Sequence, residues 1–200
     1  MNRIRLGVAS LIFALVIVFL AFRGDARQAT PVEATPSDSV IPGLLTFDVP
    51  SAAHVQGAVE YPQTPPVGGP HNPVWQDCGF YDQPVGNEHA VHSLEHGVVW
   101  ITYRLDLPAD QVALLRELAA QDDHILVSPY SGLPAPIVAS AWGKQLWLER
   151  ADDPRLGQFI DAFIGKGPEG RASCSGGTTA TLAIGSPVAG TPQPHATPSS

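Results

Sequence analysis

The chain has 200 residues, of which 15% are charged, and a formal net charge of −8 at pH 7. Only 11 residues are lysine or arginine, too few and too scattered for the phosphate contacts that nucleic-acid binding requires. The composition therefore excludes a nucleic-acid-binding protein, and the acidic balance indicates no more than good solubility.

The N-terminal segment is basic at its start and then apolar. Arg3 and Arg5 precede residues 6–22, which contain no charged residue. A run of about seventeen residues is short for a membrane-spanning helix and long for the apolar part of a signal peptide. The early arginines favour a cytoplasmic N-terminus. We expect a single-pass anchor in the lipid bilayer of the cell membrane over residues 1–23, with the rest of the chain extracytoplasmic. A cleaved signal peptide would place the domain on the same side.

The composition divides the chain after residue 23 into three parts. Residues 24–43 are rich in Ala, Thr, Pro and Ser and have few large apolar side chains, which predicts a flexible stalk because such a segment cannot bury enough surface to offset its chain entropy. Residues 177–200 have a similar composition without aromatics and are expected to form a disordered tail. Residues 44–176 are expected to form one extracytoplasmic domain with its own core.

The front of this domain, residues 58–81, is rich in proline and glycine. These residues predict turns and extended chain rather than regular structure. His71 lies in Pro70-His71-Asn72-Pro73, where the prolines restrict its backbone. A histidine held in this way is a good candidate ligand.

A histidine-rich stretch follows. Gly97 is a plausible C-cap, and residues 87–96 can form a helix of about two and a half turns. On such a helix His89, His92, Glu95 and His96 would share one face, because they are three or four residues apart. His54 and His124 are isolated in the sequence, and we expect them to be structural.

The back of the domain has clearer elements. Val98–Tyr103 and Ile125–Ser128 are β-branched and apolar and predict strands, while Pro108 begins a predicted helix that ends near Gln121. Residues 137–142 and 145–149 predict a hairpin around Gly143-Lys144 as a type II′ loop. Asp153 predicts the cap of a further helix. The predicted fold class is α+β: a small, mostly antiparallel sheet packed by two helices, with a loop-rich front.

Cys78 and Cys174 are the two cysteines of the chain. In an exported domain they are expected to form a disulfide, which closes a loop of about 100 residues and adds up to about 4–5 kcal/mol of stability. A thiolate metal ligand or redox pair is the alternative, although the Cys-x-x-Cys spacing is absent.

The histidines predict a metal site. His92 and His96, four residues apart on one helix, can hold one ion, and His71 would supply a third imidazole. Glu95, His89 or water would take the fourth position. One zinc or copper(II) ion suits these donors. A methionine-based copper(I) site is excluded, because the only methionine is the initiator.

A catalytic alternative uses the same residues. His92-Ser93-Leu94-Glu95-His96 satisfies His-x-x-Glu-His, in which two histidines hold zinc and the glutamate activates water. Glu95 would then be the catalytic residue of a small zinc-dependent hydrolase, with Glu169 as a distant ligand. Such a short pattern often arises by chance, however, and this helix runs directly into a strand.

Several motifs in order carry a resemblance to a family. They include Pro65-Pro66-Val67-Gly68-Gly69-Pro70-His71-Asn72-Pro73, Cys78-Gly79-Phe80-Tyr81, Val91-His92-Ser93-Leu94-Glu95-His96-Gly97, Ser140-Ala141-Trp142-Gly143 and Gly167-Pro168-Glu169. The chain resembles the bacterial DUF3105 family from about His54 to Gly177.

The resemblance implies a membrane anchor and no assigned activity. It implies that His71, His92, Glu95 and His96 belong to the family signature together with Trp142 and Glu169, whereas His89 does not. Val67-Gly68 replaces the Thr-Ser that the family often has, which does not affect the proposed ligands.

Three functions remain open from the sequence. The favoured one is a membrane-anchored extracytoplasmic domain that binds a divalent metal. The alternatives are the zinc-dependent hydrolase and a metal-free structural or partner-binding module at the cell surface, whose partner would be a membrane or cell-surface protein. The sequence assigns no reaction, and it leaves open whether the protein is an enzyme.

Overall fold

A computed structural model describes residues 41–185 of the chain. The predicted anchor over residues 1–23, most of the predicted stalk and the end of the predicted tail lie outside these residues. Between residues 41 and 185, no helix has the length and apolar character that a membrane crossing needs.

A mixed β-sheet forms the centre of the described part. Its strands are β1 (Leu45–Thr46), β2 (Gly79–Phe80), β3 (Val99–Tyr103), β4 (Ile125–Pro129), β5 (Ile137–Ala141) and β6 (Lys144–Leu148). Across the sheet they lie in the order β1-β6-β5-β3-β4-β2. The β1–β6, β6–β5 and β5–β3 pairs are antiparallel, and β3–β4 and β4–β2 are parallel. The α+β class is confirmed. Three of the five strand pairs are antiparallel, and the two parallel pairs make the sheet a mixed one.

Helices cover the sheet. Residues 41–185 contain α1 (Asn87–Glu95), α2 (Ala109–Ala119) and α3 (Pro154–Phe163), one more than the two expected to pack on the sheet. The additional one is the histidine-bearing helix α1, which is not a surface element. Its Ala90 and Leu94 pack with Trp100 of β3 and Leu126 of β4 in one core.

The central strands β3, β4 and β5 are buried on both faces. Alternate side chains of β3 enter two different cores: Ile101 packs with Leu115 of α2 and Phe159 of α3, whereas Trp100 packs with α1. Successive side chains of a strand point to opposite faces, so burial of both faces explains why these strands are continuously apolar rather than alternating.

The parallel β3–β4 pair has a simple cause. Helix α2 connects the two strands, and a helical crossover is the usual connection between parallel neighbours. The strand, helix and strand were each expected from the sequence, but their combination as one parallel unit was not.

The β5–β6 hairpin is confirmed with a shifted loop. Ala141 pairs with Lys144, so the loop residues are Trp142 and Gly143, and glycine takes the second position instead of the first. Gly143 has a φ of 67°, and its N–H donates to the carbonyl of Val67 at 2.7 Å. The type II′ prediction is wrong because this contact with the proline-rich front fixes the loop.

Two irregular segments pack against α1 and position the site. The proline-rich front follows the helix, with backbone bonds from Asn72 N–H to the Glu88 carbonyl and from Gln76 N–H to the His89 carbonyl. Residues 165–178 approach the C-terminal end of α1, where Glu169 N–H donates to the Glu95 carbonyl at 3.1 Å.

A disulfide joins these two segments. Cys78 and Cys174 are bonded to each other, as expected from the sequence, and Cys78 N–H donates to the Cys174 carbonyl at 2.9 Å. Because the sulfur atoms bond each other, neither is a thiolate ligand, and the alternative of a cysteine metal site is wrong.

Candidate metal centre

His71 is the most buried ligand candidate. Its side chain has no exposed surface, and its Nδ1 lies 2.8 Å from the carbonyl oxygen of Gly69. Its Nε2 lies 2.9 Å from Oε2 of Glu95. The loop between Pro70 and Pro73 therefore presents one fixed ring nitrogen to the helix.

Helix α1 supplies the next two groups. His92 and Glu95 are three residues apart and both are buried, so they face the proline-rich front together. The Nδ1 of His92 lies 2.7 Å from the carbonyl oxygen of Asn72. A carbonyl can only accept, so this nitrogen donates and Nε2 of the neutral ring keeps its lone pair.

His54 completes the group, although its isolated position in the sequence predicts a structural residue. Its Nε2 lies 3.6 Å from Glu95 Oε2, and its side chain is 47% exposed. A β-bridge pairs it with His71, formed by the bonds from Val55 N–H to the His71 carbonyl and from His71 N–H to the Ala53 carbonyl. No local pattern marks His54, because this bridge joins segments that are distant in sequence.

These four residues form a group that could hold a metal ion. One ligand atom from each of His54, His71, His92 and Glu95 lies within 4.8 Å of the others. Imidazole nitrogens and carboxylate oxygens are both ligands that zinc uses in proteins. Ring nitrogens that keep a lone pair while the other nitrogen donates to a carbonyl are also typical of metal-binding histidines.

The His71–Glu95 contact has an electrostatic consequence. Since His71 Nδ1 donates to a carbonyl, its neutral ring has only a lone pair at Nε2, and the Glu95 carboxylate is also an acceptor. Two facing acceptors need a proton or a metal ion between them. Among residues 41–185, the ion pairs of Glu95 involve only histidines, so no lysine or arginine supplies that charge.

The surroundings of His92 keep its ring neutral. Burial is the largest cause and lowers its pKa to about 4. The bond to the Asn72 carbonyl raises the pKa, and the neighbouring imidazoles lower it further. A neutral imidazole at pH 7 is the form that binds metal ions.

His96 lies beside this group and faces a different carboxylate. Its Nδ1 lies 2.6 Å from the carbonyl oxygen of Ser173, and its Nε2 lies 3.2 Å from Oε2 of Glu169. Its ring centroid is 4.6 Å from that of His92, with the rings nearly perpendicular. The structure thus groups His54, rather than His96, with His71, His92 and Glu95.

This placement bears on the His-x-x-Glu-His pattern. The hydrolase arrangement requires His92 and His96 to share one ion while the intervening glutamate stays free to act as a base. Here His96 has Glu169 as its partner, and Glu95 contacts His71. The geometry favours Glu95 as a ligand.

Two further histidines among residues 41–185 have other partners. His89 Nδ1 lies 2.5 Å from the carbonyl oxygen of Val74. His124 has both ring nitrogens engaged, with Asp123 Oδ1 at 2.6 Å and the Ala172 carbonyl at 2.7 Å. Arg171 pairs with the neighbouring Asp122 and Asp123, so this second acidic group is held by a cation of the protein itself.

No curated protein and no solved structure is significantly similar to the chain. The model of one family, described as protein of unknown function (DUF3105), matches residues 54–176. This match spans the front loop, α1, strands β2 to β6 and the Glu169 loop, and the chain therefore belongs to the DUF3105 family.

Proposed function

We propose that this protein binds one divalent metal ion in an inner site made of His54, His71, His92 and Glu95. The observation that carries the proposal is the buried contact between His71 Nε2 and Glu95 Oε2 at 2.9 Å. Burying a carboxylate without a partner cation is costly. A metal ion bound by both atoms, and by the two neighbouring imidazoles, removes this cost.

The donor set defines the class of metal. Three imidazole nitrogens and one carboxylate oxygen suit zinc or copper(II), whereas calcium and magnesium prefer oxygen alone. The chain has no methionine besides the initiator, and its cysteines form a disulfide, so soft ligands for copper(I) are absent. Zinc and copper(II) are the proposed ions.

The arrangement supports binding rather than hydrolysis. Four protein ligands fill a tetrahedral zinc site, whereas catalytic sites keep a position open for water. His54 alone is substantially exposed, and it lies on an irregular segment, so metal exchange would occur on its side of the site.

We also propose that the domain is extracytoplasmic and tethered to the cell membrane by residues 1–23. Arg3 and Arg5 ahead of the apolar run support this orientation, and a disulfide is typical of proteins in an oxidising compartment. A membrane or cell-surface protein would be the partner that supplies or receives the ion.

The test is metal retention by the purified full chain. The protein is stripped with a chelator, loaded with one equivalent of zinc, desalted and assayed by elemental analysis. We expect the wild-type protein to retain about one ion per chain and His92→Ala to lose it. His89→Ala is the matched control, because His89 lies on the same helix with Nδ1 on a carbonyl but outside the group.

Circular dichroism checks that each variant is folded. If the wild-type protein holds no zinc after loading and desalting, the proposal is overturned and the metal-free module is favoured. Equal retention by wild type and a folded His92→Ala would also overturn it.

A further inference from the structure

We propose a second, outer cation position between His96 and Glu169, beside the inner site. This inference rests on the proposed metal-binding function and extends it from one ion to two. Its basis is an arrangement that occurs twice in the protein, in which Nε2 of an oriented imidazole faces a carboxylate oxygen. The first pair is His71 with Glu95, and the second is His96 with Glu169.

The orientation of His96 is fixed by its other nitrogen. Nδ1 lies 2.6 Å from the Ser173 carbonyl oxygen and must donate to it. In the neutral ring Nε2 then has a lone pair, and it faces Glu169 Oε2 at 3.2 Å. Both atoms are acceptors, so their approach requires a proton or a cation.

The carboxylate is also positioned by the backbone. Glu169 N–H donates to the Glu95 carbonyl at 3.1 Å, and Gly170 N–H donates to the Gly167 carbonyl at 2.9 Å. The tight turn at residues 167–170 is thereby attached to the last residue of α1. Glu169 is held beside the helix terminus rather than being a freely moving surface side chain.

The local electrostatics favour a cation. The C-terminal end of a helix carries a partial negative charge, and His96 follows the last residue of α1. Within residues 41–185, His96 is the ion-pair partner of Glu169, with no lysine or arginine in that role. The Glu169 side chain is 50% exposed, so water can complete the coordination of an ion bound there.

The two positions are neighbours. The ring centroids of His92 and His96 are 4.6 Å apart, and the Trp75 ring lies against both, at 5.6 Å and 4.9 Å. Two ions bound at Nε2 of these rings would therefore repel each other. With only two protein ligands, the outer position is expected to bind more weakly than the inner one and to fill second.

Zinc titration of the purified full chain tests the inference. The stoichiometry is measured by native mass spectrometry and the stepwise affinities by calorimetry. We expect two ions in the wild-type protein, with the second at least 10-fold weaker. In Glu169→Gln the second ion should be lost and the affinity for the first should be unchanged. His96→Gln should behave in the same way.

Glu149→Gln is the matched control, since it removes an exposed carboxylate that lies outside the site. It should keep both ions. Copper(II) offers a second readout: two neighbouring copper(II) ions broaden each other's electron paramagnetic resonance spectrum. This broadening should appear between one and two equivalents in wild type and be absent in Glu169→Gln.

The failures of the two proposals can be told apart. If wild type binds one ion and Glu169→Gln is unchanged, His96 and Glu169 form only an ion pair, and the outer position alone is wrong. If wild type binds one ion and Glu169→Gln weakens it, Glu169 belongs to a single site, which also overturns the outer position. If no ion binds, both proposals fall.

Discussion

At the scale of single residues, the protein buries a carboxyl group against an imidazole. Glu95 is 5% exposed and His71 is 0% exposed, and their side chains contact each other at 2.9 Å. Burying a carboxylate is costly unless it is paired, bound to a metal ion or neutralised by a proton. We therefore expect the free energy of the His71–Glu95 contact to differ strongly between the metal-free and the metal-bound protein.

Replacing Glu95 tests its role as a ligand. In Glu95→Gln the amide can donate to His71 Nε2, so the metal-free fold should be retained. The zinc affinity of the first ion should fall by about 100-fold or more, beyond the roughly 10–100-fold typical of outer-shell partners. Competition with a chromophoric chelator measures this change. Glu117→Gln, an exposed carboxylate on α2, is the control; equal affinities in both variants would contradict the assignment.

The pKa of His92 predicts a pH dependence of stability in the metal-free protein. Its folded value of about 4 is below the ordinary 6.5, so the unfolded chain binds more protons between these pH values. Stability from the neutral ring is present above pH 6.5 and is lost as the pH falls towards 4. Urea unfolding with a chelator should show a smaller decrease over this window in His92→Gln than in wild type. Identical decreases would show that His92 does not titrate in this way.

At the scale of elements, the end of α1 is a close contact between backbones. Gly97 has a φ of 81°, and a Cβ at this position would overlap the Gly170 carbonyl and the backbone of Gly165. These glycines let the Glu169 loop approach the helix terminus. The geometry of the proposed outer position depends on this approach.

Gly97→Ala should therefore destabilise the fold by more than its backbone conformation alone explains. The left-handed region costs a non-glycine residue roughly 1–2 kcal/mol, and the overlap with Gly170 adds to that. Gly132→Ala is a matched control, because Gly132 has a φ of 76° and open space around its Cβ. Urea unfolding should give a larger loss for Gly97→Ala; equal losses would mean that the Glu169 loop moves away without cost.

Local signals explain which elements the sequence predicted well. Asp153 caps α3 by accepting from Arg155 N–H at 2.9 Å, and Gly97 has the left-handed conformation expected of a C-cap. Both are consequences of neighbouring residues. The parallel pairing of β3 with β4 and the loop position in the β5–β6 hairpin depend on distant contacts, so the sequence pattern misassigned them.

In the candidate site, too, local patterns predict some residues, whereas others depend on contacts between distant segments. A restricted loop and a helical spacing predict where the side chains of His71, His92 and Glu95 point, and the structure brings these three together. His54 was missed because it joins through a bridge to His71. His96 lies four residues after His92, a spacing that predicts a shared helix face. Its Nδ1 donates to the Ser173 carbonyl, however, and its Nε2 faces Glu169. A helical pattern cannot predict these two contacts.

At the scale of the whole molecule, the disulfide links the front of the domain to the segment that orients His96. Cys174 directly follows Ser173, whose carbonyl accepts from His96, and Cys78 directly precedes β2. The bridge spans 96 residues. It therefore constrains the unfolded chain and, in the folded protein, fixes the carbonyl on which the outer position depends.

Removing the disulfide should affect stability and the outer position together, but affect the inner site less. The Cys78→Ala/Cys174→Ala variant is expected to lose about 2–5 kcal/mol of unfolding free energy in urea, since a long loop is no longer closed. In zinc titrations the second ion should bind several-fold more weakly, because Ser173 is less firmly held, while the first should change little. None of the inner ligands lies on the segment that Cys174 anchors. The loss of the disulfide should therefore weaken binding of the second ion more than binding of the first. Equal weakening of the first and second zinc affinities would instead mean that the disulfide supports both positions through the stability of the whole fold. An unchanged second affinity would show that Ser173 keeps its position without the disulfide.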